Sequence, residues 1–259
     1  MKVIQFVPTL DSGGVEQGVL EMSRALTENH HESHVVSAGG RLVDQLIKDG
    51  THHHKWNLHK KNLFTFRHVR PLRKWIISMN PDVIHVRSRM PAWIVWQSLK
   101  GIPLNKRPNL VSTIHGLYSV NFYSAIMSKP HNIITVSKSA NEYLVKNYPK
   151  SSDKNIKLIY RGVDTSEYYK NYKPNQVWLN NWYKDYPDTK DTKLLTIAGR
   201  ISPLKDFEKI ISLAASIKDK SNYKIKILIA GEAKDKHQKY LNMLKEKIKT
   251  LSLEDDVHF

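Results

Sequence analysis

Short apolar runs that end in turn signals alternate with helical patterns along this chain, and that alternation constrains the fold more than any other feature. Val3–Val7 reads as a strand and runs into Asp11-Ser12-Gly13-Gly14. A helix follows, with Val15, Val19, Met22 and Leu26 on one face. Val35–Ser37 is a second strand, closed by Gly39-Gly40, and Asp82–Val86, Asn109–Ile114, Asn132–Val136 and Lys157–Tyr160 are further ones. This rhythm predicts an α/β fold, a parallel sheet with helices on both faces. Gly162-Val163-Asp164 closes a first unit over residues 1–165. A stretch rich in Tyr, Asn, Lys and Trp, residues 166–193, reads as a linker. The rhythm then restarts with strand Leu194–Ala198, helix Asp206–Ile217, strand Ile225–Ala230, a helix through Leu251 and a strand beginning at Val257. Residues 194–259 are therefore expected to form a second, incomplete unit.

Composition narrows the chemistry. The 259 residues contain no cysteine, which excludes disulfides, thiolate zinc sites and cysteine nucleophiles. A hydrophobic fraction of 40% against 25% charged residues is enough to bury a core. No apolar run approaches the roughly 18 residues of a membrane span, and the amino-terminal apolar run is too short for a signal-peptide core. A cytoplasmic protein is expected. His30, His31 and His34 have metal-like spacing but no carboxylate cluster to complete a site. His52-His53-His54 are consecutive and cannot all face one ion on an extended backbone. Metal binding is not expected.

The net charge of +17 is regional. Residues 1–50 hold 4 basic and 7 acidic side chains, residues 51–150 hold 16 and 2, and the remainder 21 and 15. In the basic block, Val69, Leu72, Ile76 and Met79 share one helical stripe, while Arg67, Arg70 and Lys74 share another face. Pro71 starts or kinks this helix. With Lys60, Lys61, Trp56, Phe64 and Phe66 nearby, this face suits an anionic membrane, nucleic acid or plain solvent.

Ligands of open parallel sheets bind beyond the carboxyl ends of the strands. Three features fall there. Gly13-Gly14 opens a helix, where backbone can approach a ligand or simply make a tight turn. His115 stands at a strand end before Gly116, either as a hydrogen-bonding residue or as a catalytic one. Arg200 and Lys205, within Gly199-Arg200-Ile201-Ser202-Pro203-Leu204-Lys205, put a guanidinium and an ammonium where a diphosphate could sit.

Together these pieces resemble a family-4 retaining glycosyltransferase of GT-B architecture, two Rossmann-like domains facing a cleft. Gly13-Gly14-Val15-Glu16 is similar to the family's glycine loop. Ser37-Ala38-Gly39-Gly40-Arg41, the run His85 to Trp93 and Thr113-Ile114-His115-Gly116-Leu117-Tyr118 resemble a bacterial surface-polysaccharide subgroup. Val136-Ser137-Lys138-Ser139, Arg161-Gly162-Val163-Asp164 and the pair at 200 and 205 also fit.

The resemblance implies a hexosyl transfer from a nucleotide-sugar donor to a lipopolysaccharide, polysaccharide or lipid-linked acceptor, with retention and without a metal or other cofactor. Arg200 and Lys205 would hold the donor diphosphate and neutralise the departing charge. Gly13 and Gly14 would let the loop approach the donor. His115 would line the reaction centre, as a catalytic residue bonded to the transferred sugar. Lys60, Lys61, Arg67, Arg70 and Lys74 would meet the acceptor or an anionic membrane, at the inner face of the cytoplasmic membrane, and nucleic acid is not an expected partner.

Two features depart from the family pattern. Asp206 replaces the usual glycine after the lysine, and the family's acidic motif of two glutamates lies beyond Phe259. The resemblance thus implies a chain truncated in its second domain. An inactive glycan- or membrane-binding remnant and a sugar-nucleotide epimerase of the same fold are the alternatives.

Overall fold

The computed structural model describes residues 1–220 and 224–259. The chain divides into two compact units, Met1–Asp164 and Thr165–Phe259. In the first, the elements are β1 (Lys2–Phe6), α1 (Gly14–Glu28), β2 (Glu32–Ser37), α2 (Val43–Lys48), β3 (His52–Lys55), α3 (Val69–Met79) and β4 (Val83–Val86). Then come α4 (Arg89–Lys100), β5 (Asn109–Ile114), β6 (Asn132–Thr135), α5 (Lys138–Asn147) and β7 (Asn155–Leu158). All seven strands are parallel, in the order β3-β2-β1-β4-β5-β6-β7. The order reverses between β1 and β4, and such a reversal opens a crevice at the carboxyl ends of those two strands.

The pleat sorts residues between two faces. Ile4, Phe6, Val36, Ile84, Val86 and Ile114 turn to one side and pack with Leu72 and Ile76 of α3, Met90 and Ile94 of α4, and Leu144 of α5. Val7 and Val35 turn to the other and pack with Val19 and Leu20 of α1 and Leu46 of α2. On that second side the centre of the sheet is polar, with Gln5 and His85 directly paired in register. The expected α3 stripe is present, with Leu72 and Ile76 fully buried and Val69 and Met79 packed against the same core. Pro71 sits in the first turn of α3, where its missing N–H costs no hydrogen bond. The Ser137 hydroxyl caps α5 by accepting from the Ala140 N–H at 3.1 Å, which gives Val136-Ser137 a structural role.

The second unit holds α6 (Gln176–Asp185), β8 (Lys193–Ala198), α7 (Phe207–Lys220), β9 (Ile225–Ala230), α8 (Gln238–Thr250) and β10 (Val257–His258), with the parallel order β10-β9-β8. Its core joins Phe207, Ile211 and Ala214 of α7 to Ile227 and Ile229 of β9 and Leu244 and Ile248 of α8.

Three details differ from the sequence reading. The stretch taken as a linker carries α6, capped by Asn175, and it packs on the second unit. Trp182 donates to the Thr189 hydroxyl at 2.8 Å, and Asp188 pairs with Lys226 of β9 at 2.7 Å. His52–Lys55 is an edge strand that apolar patterning could not reveal. The last strand of the first unit begins two residues earlier than expected, at Asn155, and leaves Ile159 and Tyr160 exposed beyond it.

Candidate active site

Of the predicted residues, Gly13, Gly14, His115 and the basic face lie in the first unit, and Arg200 and Lys205 in the second. At the crevice between β1 and β4, Gly13 adopts φ 147°, a conformation open to glycine, and starts α1. The Glu16 carboxylate folds back over it, placing negative charge at the positive end of the helix. The carbonyl of Gly14 accepts a hydrogen bond from Arg161, which lies just past β7.

The β4 strand delivers a residue that sequence reasoning gave no role. Arg87 follows Val86 and is 7% exposed. Its Nη1 donates to Gln5 Oε1 at 2.7 Å, and Gln5 Nε2 donates in turn to Ser23 Oγ of α1 at 2.9 Å. The Arg87 Nε is buried without a hydrogen-bond partner. Burial, followed by the nearby Arg161 charge, lowers its pKa to about 10, partly offset by Glu21. Arg87 and Arg161 both reach the space over Gly18, where any Cβ would collide with the Arg161 guanidinium and lie 3.0 Å from Arg87 Nη2.

His115 stands at the end of β5, half-buried, beside these two cations. Burial first, then Arg87 and Arg161, push its pKa down to about 3, so the ring is neutral across the working range. Its Nε2 is buried and unpartnered, and its backbone N–H donates to the Tyr118 hydroxyl at 3.3 Å. His85, one strand over, shares a 2.7 Å hydrogen bond through Nε2 with Thr113 Oγ1, and burial holds it neutral too. A neutral imidazole with a free nitrogen can bond a hydroxyl, while the guanidinium pair beside it can take negative charge.

In the second unit, Gly199 ends β8 at φ 154° and Ile201 is buried behind it, leaving Arg200 exposed. The Lys205 stem passes 3.8 Å from where a Gly199 Cβ would stand, so both cations occupy one strand end. Among the described residues neither is in an ion pair. Asp206 takes the left-handed conformation at φ 52°, the reason a glycine suits this position, and its carboxylate is tied to Lys209 at 2.7 Å.

Lys60, Lys61, Arg67, Arg70 and Lys74 are all exposed and make a basic surface, Arg67 from the short 3₁₀ turn Leu63–His68 ahead of α3. Leu63 and Phe64 stand out of it at 86% and 77% exposure. Alongside runs an apolar groove of about 600 Å³, lined by Leu63, Phe66, Met90, Trp93, Phe122 and Tyr123 with Lys61 at its rim. Arg73, on the same helix, turns inward and donates to the Ser98 carbonyl at 2.9 Å. The histidines of β2 and β3 pair with each other, His34 Nδ1 to His54 Nε2 at 3.0 Å. Among the described residues no group of His, Asp and Glu is arranged to hold a metal.

Residues 12–167 match Glycosyltransferase Family 4. The chain belongs to that family. Residues 180–259 match the Glycosyl transferases group 1 domain that supplies the second unit. No curated protein matches this chain. Among solved structures, a glycosyltransferase from Rickettsia africae ESF-5 is 26% identical with TM-score 0.80, over 99% of this chain and 67% of that one. Anabaena Alr3699/HepE, solved with UDP and glucose, is 16% identical with TM-score 0.79, over 100% and 68%. WaaG, a glycosyltransferase of lipopolysaccharide biosynthesis, is 11% identical with TM-score 0.69, over 99% and 69%. The chain thus spans about two thirds of each, and its architecture is the GT-B one of these structures. No helix among the described residues is long and apolar enough to cross a membrane.

Proposed function

We propose that this family 4 glycosyltransferase moves a hexose from a nucleotide-diphosphate sugar to a lipopolysaccharide, polysaccharide or lipid-linked acceptor, with retention and without a metal. The observation that carries the donor half is the exposed Arg200 and Lys205 at the end of β8, neither in an ion pair among the described residues. A guanidinium fork and a point charge together neutralise a diphosphate as it departs, which lowers the barrier as a metal ion would. The UDP held by the HepE relative supports a uridine donor. His115, neutral and with Nε2 free, would hold a hydroxyl of the transferred sugar. Gly13 and Gly14 would let the backbone of the loop that opens α1 approach the donor.

The acceptor half rests on the first unit. An apolar groove beside five exposed basic residues suits an amphiphile whose tail lies in the groove and whose anionic surroundings meet the lysines and arginines. The protein would then work at the inner face of the cytoplasmic membrane. Calorimetric titration of the full chain with UDP tests the donor site. Binding should be lost in the Arg200→Ala, Lys205→Ala variant, and unchanged affinity there would end the assignment.

A further inference from the structure

We propose that the first unit carries its own subsite for a substrate oxyanion, a phosphate or carboxylate, held by Arg87 and Arg161 beside His115. The proposal rests on the transfer reaction only for which substrate bears the anion. The site is built from four separate strands. Arg87 follows β4, Arg161 follows β7, His115 follows β5, and α1 rises from the loop after β1. The two guanidiniums converge over Gly18, the position on α1 where the absence of a side chain gives them room. Like charges so close repel each other, and among the described residues neither is neutralised by an ion pair.

Arg87 has nowhere else to go. It is more than nine-tenths buried, its Nη1 is anchored to the neutral Gln5 amide, and its Nε has no partner. Glu21 acts on it from an exposed position, and Glu16 stands at the start of α1. A buried cation without a bonded counter-charge is costly, and a bound oxyanion removes that cost while satisfying the idle donors. Arg161, exposed and bonded to the Gly14 carbonyl, supplies the other half of the clamp. The unpartnered Nε2 of His115 adds a neutral contact beside it.

The test uses the full chain carrying Arg200→Ala and Lys205→Ala, so that the proposed donor site is silent, and inorganic phosphate followed by phosphorus-31 line broadening. Saturable binding is expected, weakened at least tenfold by adding Arg161→Gln and about threefold by Arg161→Lys. Because Arg161 is exposed, both variants should keep the parent's unfolding midpoint. Absence of saturable binding, or binding indifferent to Arg161→Gln, overturns the proposal. Displacement by glycerol phosphate assigns the anion to an acceptor, and displacement by glucose 1-phosphate, which does not need the silenced diphosphate site, assigns it to the donor side. Either supports the subsite, whereas phosphate that neither displaces overturns it as a substrate site. The donor reading is decided separately, by UDP affinity of the unmodified chain against the double variant.

Discussion

The guanidinium of Arg87 is held 2.7 Å from the side-chain oxygen of Gln5, and both residues are shut off from solvent. A neutral amide thus anchors a buried cation at the centre of the sheet. Gln5→Leu should destabilise the fold by about 2–3 kcal/mol, because it strips a charged donor of its acceptor. Gln5→Leu combined with Arg87→Met should recover most of that loss, since both polar partners are then gone. Urea denaturation of the three proteins checks this, and a single change as mild as the double would show that the bond does not hold Arg87.

Acid should loosen this protein early. His85 and His115 are kept neutral by burial, His115 down to about 3 and His54 down to about 4, against an ordinary value of 6.5. Below pH 6.5 the unfolded chain takes up protons that the folded chain refuses. Stability is therefore full above that pH and falls as pH drops toward the folded values, by up to about 1.4 kcal/mol per pH unit for the fully buried His85 and by less for the half-buried His54. The urea midpoint should decline between pH 7 and pH 5, and His85→Gln should flatten the decline. A slope unaltered by that substitution would count against the assignment.

Arg67→Glu, Arg70→Glu and Lys74→Glu together should abolish sedimentation with vesicles rich in anionic lipid at low salt, at about 1 kcal/mol per residue before the reversal of sign is counted. Phe64→Ser should weaken the same binding severalfold, given how far this ring stands from the surface. Vesicle binding untouched by the triple variant would leave this face as ordinary solvated surface.

Asp206 occupies a left-handed turn and directs its charge to Lys209 rather than to the strand end. Asp206→Gly should relax the backbone and remove a carboxylate from the vicinity of Lys205. UDP affinity is expected to rise about threefold, as measured by calorimetry. A fall in affinity would mean that the Asp206–Lys209 pair positions Lys205.

How much of this was legible in the sequence follows from how local each feature is. Asn109–Ile114 and Ile225–Ala230 were read to the residue because each is an apolar run between turn signals. His52–Lys55 escaped because an edge strand, paired only to β2, needs no apolar pattern. Lys157–Tyr160 was displaced because Ile159 and Tyr160 look like strand yet lie past the ladder. Arg200 and Lys205 were readable, as one short loop presents both. Arg87 and Arg161 were not, since 74 positions separate them and only the strand order brings them together. The available clue was the alternation His85, Val86, Arg87, with polar residues at every second place of a strand otherwise apolar.

That alternation divides the labour of single strands. Ile84 and Val86 face the packed helices α3 and α4, while His85 and, just beyond the strand, Arg87 turn to the opposite, polar side of the sheet. Substitutions at Ile84 or Val86 act on folding alone, whereas one at Arg87 acts on what the domain can hold as well. Neighbouring codons therefore answer to different demands, one to packing alone and the next to packing and specificity together.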